Sequence, residues 1–92
     1  MGMSEITDNP KRSRFELIED GQTAFATYRR YGALVVIPHV EAPPALRGKG
    51  TAGRLMEGLV AHARAHGLKI EPVCSYAAIW FRRHPDARDV LS

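Results

Sequence analysis

The chain has 92 residues, of which 45% are hydrophobic and 25% charged, and a formal net charge of +3 at pH 7. That balance excludes a disordered or fibrous chain and fits one small globular domain. The longest apolar run, residues 33–37, is far too short to cross a bilayer. The start Met1-Gly2-Met3-Ser4 lacks the basic-then-apolar order of a secretion signal, so a cytoplasmic protein with no membrane partner is expected. A single cysteine, Cys74, excludes an internal disulfide framework and a multi-cysteine zinc site. The positive charges are scattered in pairs rather than gathered in one basic run, so no nucleic-acid partner is expected.

In chain order, residues 1–12 are polar, contain Pro10 and lack periodicity, which predicts a flexible N-terminal tail before one domain over residues 13–92. Residues 14–18 have a strand pattern. Asp20-Gly21 is a tight-turn signal leading into residues 23–31, where Phe25, Thr27, Tyr28 and Tyr31 favour strand. After a turn at Gly32, residues 33–37 are nearly all apolar, as expected of a strand covered on both faces. That strand continues through Pro38 to Glu41, and Pro43-Pro44 stops it. The three strands form an antiparallel meander.

Beyond the prolines the period changes. Ala52, Leu55, Met56, Leu59, Val60 and Ala63 fall at steps of three and four, so one apolar stripe runs along a helix that ends at Gly67. Residues 68–73 supply a strand expected to lie parallel to the strand before the loop. Ser75 is the expected N-cap of a final helix that Pro85 halts. The fold class is therefore α/β with a mixed sheet: an antiparallel meander, a β-α-β crossover and a C-terminal helix.

The joint between the third strand and the long helix, Leu46-Arg47-Gly48-Lys49-Gly50-Thr51-Ala52, combines glycine, positive charge and a helix start. Glycines let backbone N–H groups approach an anion, and the unsatisfied amides of a helix start attract one. A nucleotide P-loop needs Ser or Thr directly after Gly-Lys, and here Gly50 follows Lys49. Gly48, Gly50 and Gly53 do match the G-x-G-x-x-G spacing of dinucleotide sites, with Glu71 at the distance of a ribose-binding acid. Against an NAD site stand the prolines that separate strand from glycine loop, and a chain with room for only one crossover.

Arg47-Gly48-Lys49-Gly50-Thr51-Ala52 also resembles the acyl-CoA signature of the GNAT acyltransferases. His39-Val40-Glu41-Ala42-Pro43 before it and Cys74-Ser75-Tyr76 after it are similar to a small stand-alone GNAT-like subfamily. The likeness extends from Phe15 onward. It implies a minimal GNAT fold that binds acetyl-CoA or a related acyl-CoA and acts as an N-acetyltransferase on an unidentified amine, a protein-borne one among the candidates. The alternative is a CoA-binding or interaction module without catalysis. The resemblance puts the cofactor pyrophosphate on the amides of residues 48–52 and the pantetheine arm between the two parallel strands as they splay apart. Arg47, Gly48, Lys49, Gly50, Thr51 and Ala52 become cofactor-binding candidates, and Ala42 stands near the acyl group.

Acyl transfer to an amine needs a proton acceptor, an oxyanion partner and an acid for the thiolate. His39 and Glu41 lie two apart on a strand and share a face, so either can accept a proton, or both simply fix the strand end. Cys74 falls at a helix N-terminus, as a reactive thiol or as a small buried filler. Larger relatives carry a tyrosine acid where this chain has Phe81, which leaves Tyr76 or Cys74 as substitutes, or Cys74 as an acyl carrier. His62 and His66 stand four apart without an evident third ligand, so no metal is expected. Trp80 and Phe81 read as packing, and Arg82 and Arg83 as an exposed pair.

Overall fold

The computed structural model describes residues 6–92. The elements are β1 (Thr7–Asn9), β2 (Arg14–Glu19), β3 (Gln22–Tyr31), β4 (Leu34–Glu41), α1 (Thr51–His66), β5 (Lys69–Pro72) and α2 (Ser75–Arg83). Short 3-10 turns stand at Pro44–Leu46 and Pro85–Val90. The strands form one five-stranded sheet in the order β1-β2-β3-β4-β5. The first three pairings are antiparallel and β4–β5 is parallel, with α1 as the crossover. This is the mixed α/β architecture the sequence pattern predicts.

Local chemistry accounts for most of these elements. Asp20 and Gly21 both have positive φ, 52° and 72°, the pair that a two-residue hairpin turn with the native strand twist requires. The α1 stripe buries Leu55, Met56, Leu59, Val60 and Ala63 against Phe15, Leu17, Ala24, Ala26, Val35 and Ile37 of the sheet. Each of these larger side chains contributes roughly 1.5–3 kcal/mol on burial. Ala52, at the start of the stripe, is only half-buried. It borders a surface groove instead.

Three expectations change. The first is the tail: Met1–Glu5 lie outside the described residues, but Thr7–Asn9 form an edge strand on β2, and the Tyr28 hydroxyl donates to Asp8 Oδ1 at 2.6 Å. This pairing is made by backbone groups and a residue twenty positions away, so it leaves no periodic trace in a polar segment. The second is coverage of β4. Val35 and Ile37 are buried while Leu34 and Val36 are only half-buried, because the helices cover one face of the sheet. On the opposite face Ile18 and Tyr31 are 66% and 61% exposed. The third is the cap of α2, where Cys74 occupies the N-cap and Ser75 is the first helical residue.

One irregularity in β4 positions the site. Thr27 pairs with His39 and Arg29 with Val36, so three steps along β4 match two along β3. The extra residue is a β-bulge, and Pro38, which has no N–H to donate, sits within it. Before the bulge Val35 and Ile37 point into the core. After it the alternation is reversed: Val40 packs against the core, and His39 and Glu41 project from the open face beside Phe25 and Thr27.

Candidate functional site

β4 and β5 run side by side only as far as Ile37 and Pro72. There the Val73 and Cys74 N–H groups both donate to the Ile37 carbonyl at 3.0 Å, and the chain turns away into α2. Among the described residues the stretch of β4 from Pro38 to Glu41 consequently has no strand on that side. A cleft of about 410 Å³ occupies the gap, lined by His39, Val40, Glu41, Ala42, Arg47, Ala52 and Tyr76. A second of about 250 Å³ shares Ala42, Arg47, Ala52 and Tyr76 with it and reaches Leu46, Gly48, Gly50, Thr51 and Gly53. Together they make one groove from the His39–Glu41 pair to the first turn of α1.

The helix end of the groove is suited to an anion. Gly48 and Gly50 both have φ of 79°, a left-handed conformation that glycine adopts without penalty. The first bond into the helix runs from the Arg54 N–H to the Gly50 carbonyl at 3.1 Å, which leaves the Thr51, Ala52 and Gly53 amides without an acceptor on the helix. No acidic residue stands in the first turn. Helices commonly place Asp or Glu there to meet the dipole; here the carboxylate at the first turn is Glu19 of β2, which bonds the Thr51 hydroxyl and the Arg54 side chain.

Three cations surround the loop, but two are already engaged. Lys49 Nζ lies 3.5 Å from Asp20 Oδ2, and it lines neither cleft. The Arg54 guanidinium grips Glu19, with Nε 2.6 Å from Oε2 and Nη2 2.8 Å from Oε1. Arg47 lines both clefts and makes no ion pair among the described residues. Thr51, 1% exposed, donates its hydroxyl to Glu19 Oε1 at 2.7 Å. The hydrogen bonds from Arg54 and then Thr51 hold the Glu19 carboxyl at a pKa of about 2. Glu19 and Arg54 carry no motif; they are 35 positions apart, and nothing in the sequence marked them.

At the other end His39 Nε2 lies 2.9 Å from Glu41 Oε1, and both side chains are about half exposed. With its proton on Nε2, the imidazole donates to the carboxylate and presents Nδ1 as an acceptor. The His39 ring also faces Phe25 at 6.3 Å, and the Arg14 guanidinium lies over Phe25 at 4.4 Å. Tyr76, on the first turn of α2, borders both clefts. Burial, with a smaller effect of Cys74, pushes its hydroxyl pKa up, so it stays protonated near neutral pH.

The remaining candidates lie apart. Cys74 is half-buried at the α2 N-cap, packs against the core and does not line the groove. His62 and His66 stack on each other at 4.2 Å toward the far end of α1, where His62 meets the Phe15 ring edge-on at 5.2 Å. Burial lowers the His62 pKa, with His66 a second cause. Phe81 and Trp80 are buried, and Arg82 and Arg83 are exposed away from the groove.

The dinucleotide spacing is not matched by a dinucleotide architecture. A 3-10 turn intervenes between β4 and the glycines, and most strand pairs are antiparallel. The third glycine is not demanded by packing either, since a Cβ at Gly53 would meet only Trp80 Nε1 at an ordinary 4.0 Å.

Comparison with known proteins agrees with this geometry. A family model described as GCN5-related N-acetyl-transferase matches residues 14–90. The NMR solution structure of a GCN5-like candidate N-acetyltransferase from Staphylococcus aureus is similar with a TM-score of 0.73 and 28% identity, over 100% of this chain and 91% of that one. A protein of Pseudomonas syringae pv. tomato named "Probable RNA 2'-phosphotransferase" is 36% identical over an alignment of 70 residues that covers 70% of this chain and 37% of that protein. The chain thus spans little more than a third of that relative's length.

Proposed function

Since the chain belongs to the GCN5-related N-acetyltransferase family, we propose that its groove binds acetyl-CoA and that it transfers the acetyl group to an amine. The observation that carries this reading is the continuity of the groove. A helix start with free amides and no acid of its own opens directly into an apolar slot along an unpaired strand edge, and that slot ends at a His–Glu pair. The pyrophosphate belongs on the Gly48, Gly50, Thr51 and Ala52 amides with Arg47 as the nearby cation. The amide-bearing pantetheine arm suits the free edge of β4 beside Val40 and Ala42, as an added strand would. Lys49, engaged with Asp20, contributes its backbone to the loop rather than its charge.

Acetyl-CoA supplies an activated thioester acetyl group; the chain's own residues handle the protons. His39 Nδ1 accepts the proton that the amine loses, and Glu41 holds the ring in orientation and balances the imidazolium. The Tyr76 hydroxyl, protonated at neutral pH and bordering the groove, stands in for the acid that Phe81 cannot be. Cys74, beside the point where β4 and β5 part but outside the groove lining, is the candidate for a second route. In it Cys74 Sγ attacks the thioester carbonyl, the proton of its thiol passes to the departing CoA sulfur, and the amine then takes the acetyl group from Sγ and returns a proton to it. The single domain of residues 13–92 takes in β1 as well, which is the edge strand of its sheet. Among the described residues no helix is long and apolar enough to cross a membrane.

A thermal-shift panel tests the binding reading. Acetyl-CoA and CoA should raise the melting temperature while NADH and ATP do not; stabilisation by NADH alone contradicts it. Intact mass after mixing with acetyl-CoA separates the two routes. An added acetyl group that disappears in Cys74→Ala supports the covalent one.

A further inference from the structure

The groove's anion end is not held in place by the strand that precedes it. Between Glu41 and Thr51 the chain makes only a 3-10 turn and two left-handed glycines. Leu46, 1% exposed, anchors the 3-10 turn in the core; what fixes the chain beyond it comes from the β2–β3 turn, 32 positions before Thr51. Glu19, the last residue of β2, takes the Thr51 hydroxyl at 2.7 Å and both limbs of the Arg54 fork at 2.6 and 2.8 Å. The same Arg54 Nη2 donates to the Lys49 carbonyl at 2.8 Å. The next residue of that turn, Asp20, reaches Lys49 at 3.5 Å. Gly50 leaves room for the fork, since a Cβ there would lie 3.2 Å from Arg54 Nη1.

A carboxylate beside an anion site is an electrostatic cost unless it does something else. Glu19 neutralises Arg54, a cation that would otherwise attract a phosphate, so charge alone makes Glu19 unfavourable for binding. Its three charge-assisted bonds all go to residues that set the path of the loop or the first turn of α1. We propose that Glu19 is a positioning residue: by clamping Thr51 and Arg54 it holds residues 47–53 on the backbone path that presents the Thr51, Ala52 and Gly53 amides to the groove. This rests on the acyl-CoA reading of the groove. The hairpin tip thereby becomes part of the cofactor site without touching the cofactor.

The two accounts of Glu19 differ in sign, which makes them separable. Glu19→Gln removes the charge and keeps the shape. Calorimetric titration with CoA and with S-acetylpantetheine, which lacks phosphates, should be run on wild type and variant, with amide exchange at Arg54 and Leu55 measured alongside. Positioning predicts CoA binding weaker by roughly tenfold, as expected for losing a charge-assisted network. It also predicts faster exchange at Arg54 and Leu55, unchanged exchange at Ala24 and Ala26, and unchanged response to S-acetylpantetheine. Arg54→Lys, which keeps the charge and loses the fork, should repeat the pattern. CoA binding that is unchanged or tighter in Glu19→Gln overturns the proposal, as does an equal loss for both ligands. A wild type that ignores CoA overturns the reading of the groove instead; exchange at Arg54 and Leu55 then decides by itself whether Glu19 holds the loop.

Discussion

At the N-terminal end of α1 a left-handed glycine, Gly50, precedes the helix, and an arginine fork from Arg54 to Glu19 ties the first turn to a distant element. At the C-terminal end a left-handed glycine, Gly67, follows the helix, and a fork from Arg64 to Asp89 ties the last turn to the chain terminus. The parts correspond, but their backbone groups are treated differently. Behind Gly67 the Gly67 and Leu68 N–H groups both return to the Ala63 carbonyl, and Arg64 and His66 put positive charge where the dipole is negative. After Gly50 the Thr51, Ala52 and Gly53 amides have no acceptor on the helix, and the helix has no acid in its first turn. A helix end that completes its own bonding is a structural joint, whereas one that is held yet left incomplete has amides to offer a ligand.

The largest effect should come from completing the incomplete end. Ala52→Glu places a carboxylate in the first turn, where the helix dipole stabilises it by about 0.3–1 kcal/mol. The same charge would face a pyrophosphate held as proposed on the loop amides, and like-charge contact costs several kcal/mol. The variant should keep or raise its melting temperature and lose CoA affinity on the order of a hundredfold. Binding that survives would show that the anion is held elsewhere.

The paired glycines come next. Gly50→Ala and Gly67→Ala each force a side chain into the left-handed region, at a cost of roughly 1–2 kcal/mol. A Cβ at Gly67 meets nothing within 4 Å, so Gly67→Ala should lower stability in denaturant titration and leave CoA affinity alone. Gly50→Ala should lower both, because its Cβ, 3.2 Å from Arg54 Nη1, also makes the fork give by a few tenths of an ångström.

How far the sequence reveals this structure depends on the range of the interactions. The Asp20-Gly21 turn and the spacing of Leu55, Met56, Leu59 and Val60 are local signals, and the hairpin and α1 follow from them. The glycine loop reads as a candidate anion site because its chemistry lies within seven consecutive residues. The bulge at Pro38 was not, since the count along β4 becomes irregular only against β3. Without the bulge His39 and Glu41 would keep the alternation of Val35 and Ile37 and point into the core. Glu19 and Arg54 were invisible for a related reason: a charged residue at a strand end and another in a helix look like solvated surface until the fold brings them together. Cys74 reads the same way in sequence and structure, at a helix start, but the groove does not include it.

A smaller effect separates the glycine loop from the dinucleotide pattern it imitates. Gly53→Ala places a methyl group at ordinary distance from Trp80 and removes a glycine from a helix, which should stabilise the protein by about 0.8–1 kcal/mol. CoA affinity should be retained, although in a dinucleotide site that glycine is needed for close packing.

The smallest effect is on pH dependence. The Glu19 carboxyl is held at about 2, below its ordinary 4.5. A depressed carboxyl contributes stability that is complete above the unfolded value and is lost as pH falls through the folded one. The loop clamp should therefore be intact above about pH 4.5 and weaken progressively toward pH 2. Asp89 is also lowered, chiefly by the hydrogen bond from Arg64, so the far end weakens in acid as well. Glu19→Gln should flatten the acid limb of the stability profile while leaving the Asp89 contribution in place.

The contrast between the two ends is tested most directly by following the backbone amides of the nitrogen-15-labelled protein by NMR as acetyl-CoA is added. Saturable shifts should appear at Gly48, Gly50, Thr51, Ala52 and Gly53, and along Val40, Glu41 and Ala42, with Gly67, Leu68 and Lys69 unmoved. Shifts confined to the Gly67 end, or none at the glycine loop at saturating acetyl-CoA, would contradict the account.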